Sequence, residues 1–113
     1  ISRNVATAEK ARRAGVRMLA GSDAVYTAFG TNMQELEWLV KIGMSNEQAL
    51  QAATVGPAEM LGQEKNLGAV APGFAADLVA VEGDPLADIK AVTEHVRWVM
   101  KAGRVAVDKT RTP

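Results

Sequence analysis

The fold of this chain is decided by residues 14–23, which read Ala14-Gly15-Val16-Arg17-Met18-Leu19-Ala20-Gly21-Ser22-Asp23. The apolar run from Val16 to Ala20 lies between two glycines; it is too short for a helix and is typical of a buried strand. Upstream, residues 3–14 place Val5, Ala8 and Ala11 at helical spacing, and Gly15 is a typical helix stop. A helix, a tight glycine turn and a buried strand form half of a parallel α/β unit.

The segment after this unit predicts a loop and then helices. Residues 24–30 have no clear period and predict the loop. Two capping boxes, Thr31-x-x-Gln34 and Ser45-x-x-Gln48, each predict the start of a helix. Pro57 suits the first residue of a further short helix, which we expect to extend through Leu61.

The last third of the chain predicts strands instead. Residues 77–81 read as a strand after a Pro-Gly turn. Residues 96–101 alternate in polarity, and Ala102-Gly103 separates them from Val105 and Val107, which is the pattern of a β-hairpin.

Composition excludes several classes of function. The 113 residues are 48% hydrophobic and 23% charged, with 13 basic and 13 acidic side chains, so we expect neither a nucleic-acid nor a membrane partner. No apolar run reaches the roughly 18 residues of a membrane span, and no signal peptide is recognisable. The chain has no cysteine, which is compatible with a cytoplasmic location. It does not begin with Met, so we expect it to start inside a longer protein.

Several stretches together resemble the amidohydrolases, within the branch that contains imidazolonepropionase-like and Xaa-Pro dipeptidase-like enzymes. Each stretch alone is weakly specific, but their order and spacing extend over nearly the whole chain. The matching stretches are Ala14 to Arg17, Gly21 to Ala24, Gly43 to Ser45, Glu47, Ala49-Leu50, Ala52 to Thr54, Pro57-Ala58, Leu61-Gly62, Gly68, Pro72-Gly73, Ala76 to Val79, Asp84 to Leu86, and Val96 to Gly103.

The resemblance implies an α/β fragment composed of two parts. Residues 1–62 would be the end of a (β/α)8 TIM-barrel catalytic domain, with residues 16–20 as the last barrel strand and the helices through Leu61 after it. Residues 63–113 would supply the C-terminal strands of a small composite β-sandwich.

Asp23 is the candidate catalytic and metal-binding residue. It follows the predicted strand directly, and barrel enzymes place their chemistry at the C-terminal ends of strands. In enzymes that this sequence resembles, the matching Asp binds a divalent metal, which we expect to be zinc, and accepts a proton from water. From the residues alone, a turn or cap role after Gly-Ser is the commoner one for Asp23, and Ser22 could either contact the site or only shape the turn.

The other ligands that the resemblance requires are missing from the chain. The family uses a His-x-His pair, a Lys or Glu and further histidines, and a catalytic zinc needs about three protein ligands. The one histidine, His95, precedes a predicted strand, and we interpret it as a surface residue. We therefore expect the fragment to bind no metal and to be inactive alone.

Other eye-catching residues have ordinary structural explanations. Phe29 stands where related enzymes often have a histidine; with Tyr26 it could line an apolar pocket or simply pack against a helix. Asp77 and Asp84 flank turns and are interpreted as structural. The two tryptophans, Trp38 and Trp98, are interpreted as core or interface anchors.

Two functions follow as competing hypotheses. The first is a fragment of a hydrolase that cleaves a carbon–nitrogen bond in a small-molecule amide, cyclic amide or dipeptide. The second is a standalone, non-catalytic α+β module that self-associates. An unpaired strand edge favours a homo-oligomer or a strand-exchanged assembly in either case.

Overall fold

Helices occupy the first half of the chain and a small antiparallel sheet occupies the second. The structure is a computed structural model, and it describes residues 2–23 and 30–111. The helical part contains α1 (Ser2–Arg13), a 3-10 helix (Asn32–Gln34), α2 (Glu35–Lys41), α3 (Asn46–Ala53) and α4 (Val55–Met60). The sheet part contains β1 (Leu78–Val81), α5 (Lys90–Glu94), β2 (Val96–Lys101) and β3 (Arg104–Asp108). None of these helices is long and apolar enough to cross a membrane.

The hydrophobic core lies among the helices. Its buried members are two residues of α2, the residue directly after α2, two residues of α3, and the residue directly before α5. In that order they are Leu36, Leu39, Ile42, Ala49, Ala52 and Ile89. Side chains from α1 and from the segment after it pack against this cluster, including Val5, Ala8, Met18 and Ala20. Burial of a leucine side chain contributes about 1.5–3 kcal/mol relative to exposure, so this cluster fixes the helices relative to one another.

The helix boundaries confirm most of the sequence predictions and correct two. Helix α4 begins at Val55, two residues before Pro57, so Pro57 is not its first residue. Helix α1 ends at Arg13, and Gly15 follows with a φ of +82°. Ser45 and Gln48 form the predicted capping box of α3, with both reciprocal hydrogen bonds present. The capping box predicted at Thr31 is wrong, because the Thr31 side chain makes no capping hydrogen bond and the chain enters α2 through the 3-10 helix.

The segment of residues 16–20 adopts no strand, although the sequence predicts one. A strand needs a hydrogen-bonded neighbour, and none of the described residues forms a ladder with this segment. Two backbone hydrogen bonds hold its ends instead: the Val16 N–H donates to the Ala11 carbonyl at 3.1 Å, and the Ala20 N–H donates to the Ala52 carbonyl at 2.8 Å. A last barrel strand therefore stays a prediction.

The sheet confirms the predicted strands and hairpin. The described strands pair in the order β1-β2-β3, and both pairings are antiparallel. Ala102 and Gly103 connect β2 to β3 with φ values of 50° and 75°. Positive φ at both central positions is the signature of the two-residue turn that suits the twist of a hairpin. A second sheet that would complete a sandwich is not found among the described residues.

Contacts of α5 with α2, and of the segment before α5 with α3, connect the sheet part to the helical part. The Thr93 hydroxyl donates to Glu37 Oε1 at 2.7 Å, and Asn46 Nδ2 donates to the Leu86 carbonyl at 3.0 Å. Helix α5, which the sequence analysis missed, therefore packs on the helices that precede it in the chain. The division at residue 62 stays a prediction.

Candidate functional site

Asp23 lies on the surface at the end of a segment that the core holds in place. Met18 and Ala20 pack against the core cluster, and the Ala20 N–H is bound to α3. Gly21, Ser22 and Asp23 follow directly and are exposed. The carboxylate of Asp23 has no hydrogen-bond or ion-pair partner among residues 2–23 and 30–111, so it is available to a ligand.

Asn32 connects the two ends of the segment that follows Asp23. Its Nδ2 donates to the Ser22 hydroxyl at 2.7 Å, and its Oδ1 accepts from the Gly30 N–H at 3.2 Å. Residues 24–29, which include the candidate pocket residues Tyr26 and Phe29, lie outside the described residues. Asn32 therefore holds Ser22 and Gly30 near each other.

The described residues do not form a complete metal site. No group of three or more His, Cys, Asp or Glu side chains is close enough to hold a metal within the described ranges. Zinc sites use three or four protein ligands, and Asp23 can supply one. The fit to a metal is therefore partial, because a carboxylate such as Asp23 has suitable donor chemistry but the described residues place no further candidate ligands beside it.

Two open cavities flank Met18, and neither is lined by Asp23. The first, with a volume of about 470 Å³, lies between residues 16–19 and helices α3 and α4, where Arg17 forms an ion pair with Glu59. The second, of about 560 Å³, lies between α1 and α2 and is lined by Trp38 among others. These cavities mark incompletely covered faces of residues 16–19 and do not extend the Asp23 site.

The residues that were interpreted as structural lie apart from Asp23 in their contacts. Asp84 Oδ1 accepts a hydrogen bond from the Leu86 N–H at 2.9 Å within its turn. Asp77 bonds to Lys101 and to the Ala102 N–H, and these hydrogen bonds, that of Lys101 first, lower the pKa of Asp77 below 3.8. His95 is exposed at the end of α5.

The two tryptophans differ in their surroundings. Trp98 is half-buried in β2, where it lies opposite Ala80 of β1 and Asp108 of β3. Trp38 is 39% exposed, and the Lys41 ammonium lies 4.5 Å from the centre of its ring. Trp38 is therefore not a core residue, and of the two interpretations only an interface role stays open for it.

Comparison with known proteins identifies the family. Residues 1–106 match the Amidohydrolase family. The chain is 34% identical to ochratoxinase from Aspergillus niger over 97 residues, which are 82% of this chain and 20% of that protein. The chain belongs to the amidohydrolase family.

Solved structures agree with this assignment. A Xaa-Pro dipeptidase with bound methionine in its active site superimposes with a TM-score of 0.83 at 39% identity, over 91% of this chain and 25% of that one. Another amidohydrolase gives a TM-score of 0.85 at 33% identity, over 95% and 26% of the two chains. The chain thus spans about a fifth to a quarter of the length of these relatives.

Asn32 is the residue of this site that the sequence analysis missed. Residues 31–34 were interpreted as a capping box of Thr31 and Gln34, and no role was assigned to the Asn32 side chain between them. Asparagine is itself a favoured turn and cap residue, and its position after Gly30 was the signal that could have identified it.

Proposed function

We propose that this chain is the C-terminal part of a metal-dependent hydrolase that cleaves a carbon–nitrogen bond. In this proposal, residues 1–62 end a TIM-barrel catalytic domain and residues 63–113 supply strands of a composite β-sandwich. Asp23 is the one catalytic and metal-binding residue that the chain contributes. The supporting observation is the exposed, unpartnered Asp23 carboxylate at the end of a core-anchored segment, in a chain of the amidohydrolase family.

The chemistry assigned to Asp23 is that of a ligand and a proton acceptor. A divalent metal, proposed to be zinc, would supply a Lewis acid that lowers the pKa of bound water toward about 7. An ionised carboxylate beside the attacking water can take its proton and later release it to the leaving nitrogen. Asp23 is free for this role because none of the described residues pairs with its carboxylate.

The proposed substrates are small-molecule amides, cyclic amides or dipeptides. The supporting observation is that similar proteins carry the names ochratoxinase and Xaa-Pro dipeptidase. Specificity in a barrel enzyme comes from loops after all eight strands, and this chain holds at most one or two of them. A panel of Xaa-Pro dipeptides, N-acyl amino acids and cyclic amides is therefore the appropriate first screen.

The decisive experiment compares Asp23 with a matched aspartate in the full natural protein that carries these residues. We expect Asp23→Asn to lower kcat by about 10²–10⁴-fold, which is the usual contribution of a general acid or base. Asp84→Asn is the control, because Asp84 only bonds within its turn. Equal activity of the two variants would contradict the assignment of Asp23.

The 113-residue chain alone should bind no zinc and hydrolyse nothing, since the described part supplies one candidate ligand of about three. Its metal content after purification, measured by mass spectrometry, tests this. One tightly held zinc per chain, with hydrolysis of an amide, would overturn the proposal that the chain is an incomplete part.

The cytoplasmic location inferred from the absence of cysteine stays a prediction.

A standalone, self-associating α+β module is the second candidate. The observation in its favour is that the N–H groups of Arg17, Met18 and Leu19 have no backbone partner within the described ranges. A natural reading frame that begins near Ile1 would favour this module. A frame that extends upstream through a His-x-His segment would favour the hydrolase.

A further inference from the structure

The Asn32 side chain donates a hydrogen bond to the hydroxyl of Ser22, the residue directly before Asp23. We propose that Asn32 is a positioning residue for Asp23, and that it acts through the Ser22 hydroxyl. This inference rests on the proposed function, because it assigns Asn32 a role only if the Asp23 carboxylate must be oriented. In this proposal neither Asn32 nor Ser22 touches the reacting atoms, and the effect is transmitted through the backbone of residues 22 and 23.

Asn32 is held in place by the element that it begins. It opens the 3-10 helix that continues into α2, and α2 places Leu36 and Leu39 in the core with 1% and 4% of their surface exposed. Because this element packs into the core, the backbone of Asn32 is held in place. What Asn32 binds is therefore held relative to the core.

The Asn32 amide binds both Ser22 and Gly30. An asparagine amide has both a donor group and an acceptor atom, and Asn32 uses the donor for Ser22 and the acceptor for Gly30. Ser22 is ten residues away along the chain and is bonded directly to Asp23 by its peptide link. The 2.7 Å hydrogen bond thus restrains Ser22, whose carbonyl carbon is bonded to the backbone nitrogen of Asp23.

The Ser22 hydrogen bond differs from an ordinary helix-capping interaction. The Gly30 hydrogen bond alone would serve a turn at the start of the helix, because the two residues are two positions apart. The Ser22 hydrogen bond does not contribute to the start of the helix. Its consequence is the placement of Asp23, and errors of about 1 Å in a catalytic group can cost about 10²-fold in rate.

The test uses the full natural protein and two substitutions that break the same hydrogen bond from opposite sides. Ser22→Ala and Asn32→Leu should each weaken zinc affinity about 10- to 100-fold, the usual effect of losing a residue that orients a metal ligand. Both should lower kcat more than they change KM. Ser22→Thr keeps the hydroxyl and should restore affinity and rate.

Thermal unfolding separates positioning from stability. Asn46→Leu is the matched control, because Asn46 also starts a helix and bonds to a distant backbone group, the Leu86 carbonyl. It should lower the unfolding midpoint while leaving zinc affinity unchanged. Ser22→Ala should weaken zinc affinity while leaving the unfolding midpoint nearly unchanged. Ser22 and Asn32 are exposed, so their hydrogen bond competes with water and contributes little to stability.

The possible outcomes distinguish this inference from the proposed function. If Asp23→Asn abolishes zinc binding and turnover while Ser22→Ala and Asn32→Leu leave both unchanged, Asn32 has no positioning role and the hydrolase assignment stands. If Asp23→Asn also leaves both unchanged, the proposed function itself fails. If Asn32→Leu weakens zinc binding and Ser22→Ala does not, the route through Ser22 is wrong.

Discussion

Asp77 holds the connection between β2 and β3 through its two carboxylate oxygens. Oδ2 accepts from the Lys101 ammonium, and Oδ1 accepts from the Ala102 N–H at 2.7 Å. Both donors favour the charged carboxylate, so the pKa of Asp77 lies below its ordinary value of 3.8, with the Lys101 hydrogen bond as the largest cause. One side chain thereby ties the residue before β1 to the hairpin turn.

We expect Asp77→Asn to make stability less dependent on pH on the acid side. A carboxyl group whose pKa is lower in the folded state stabilises the fold above its unfolded pKa, and this contribution is lost as pH falls through the folded pKa. Wild type should therefore exceed the variant in thermal midpoint near neutral pH, and the difference should shrink below pH 3.8. Midpoints measured across this range provide the check.

Lys101→Met provides the control for this prediction, because it removes the same ion pair from the other side. It should also reduce the acid-side loss of stability, and the double variant should differ little from Asp77→Asn alone. A constant difference in midpoint at all pH values would contradict the interpretation.

The candidate site was predictable only where the signal is local. Asp23 follows a short apolar run and a glycine, so its position could be read directly from the sequence. The Ser22–Asn32 hydrogen bond joins residues whose approach depends on how α2 packs, and no spacing rule encodes that contact. His95 could be identified as a surface residue, because that interpretation needed only the local sequence.

At the scale of elements, prediction succeeded where one local interaction defines an element. The Ser45–Gln48 capping box and the Ala102-Gly103 turn are both formed as expected. The equivalent pattern at Thr31 failed because the chain enters α2 through a 3-10 helix. Helix α5 was missed because it has only five residues, and its position depends on packing against α2.

Gly56 explains how closely α4 approaches residues 16–20. A Cβ at Gly56 would lie 2.6 Å from Leu19 Cδ2 and 3.0 Å from the Gln51 carbonyl oxygen. We expect Gly56→Ala to lower the free energy of unfolding by about 1–3 kcal/mol, the usual cost of overpacking. The better helix propensity of alanine offsets about 1 kcal/mol at most. Urea unfolding of the chain measures the difference.

A double-mutant cycle with Leu19→Ala identifies the cause of that loss. Shortening Leu19 removes the nearest clash, so Gly56→Ala should cost less in the Leu19→Ala background than in the wild type. Gly21→Ala is the matched control, because a Cβ there would meet nothing within 4 Å. Strictly additive effects of the two substitutions would show that Leu19 does not limit the approach of α4.

At the scale of the whole molecule, residues 16–20 are a segment whose backbone hydrogen bonding is incomplete. The segment packs against the core and is held at both ends, yet the amides of Arg17, Met18 and Leu19 have no backbone partner among the described residues. Unpaired backbone groups in a row are a template for pairing with another chain. The proposed barrel would satisfy them with neighbouring strands, and the isolated chain has only other copies of itself.

We therefore expect the 113-residue chain to self-associate, with pairing at residues 17–19. Sedimentation velocity over a range of concentrations should show an oligomer, and the amides of Met18 and Leu19 should exchange with solvent more slowly as concentration rises. The Ala20 amide is the internal control, because it already donates to the Ala52 carbonyl at 2.8 Å and should be protected at every concentration. A monomer at high concentration would contradict self-association. An oligomer with unchanged Met18 and Leu19 exchange would show that the copies associate through another surface.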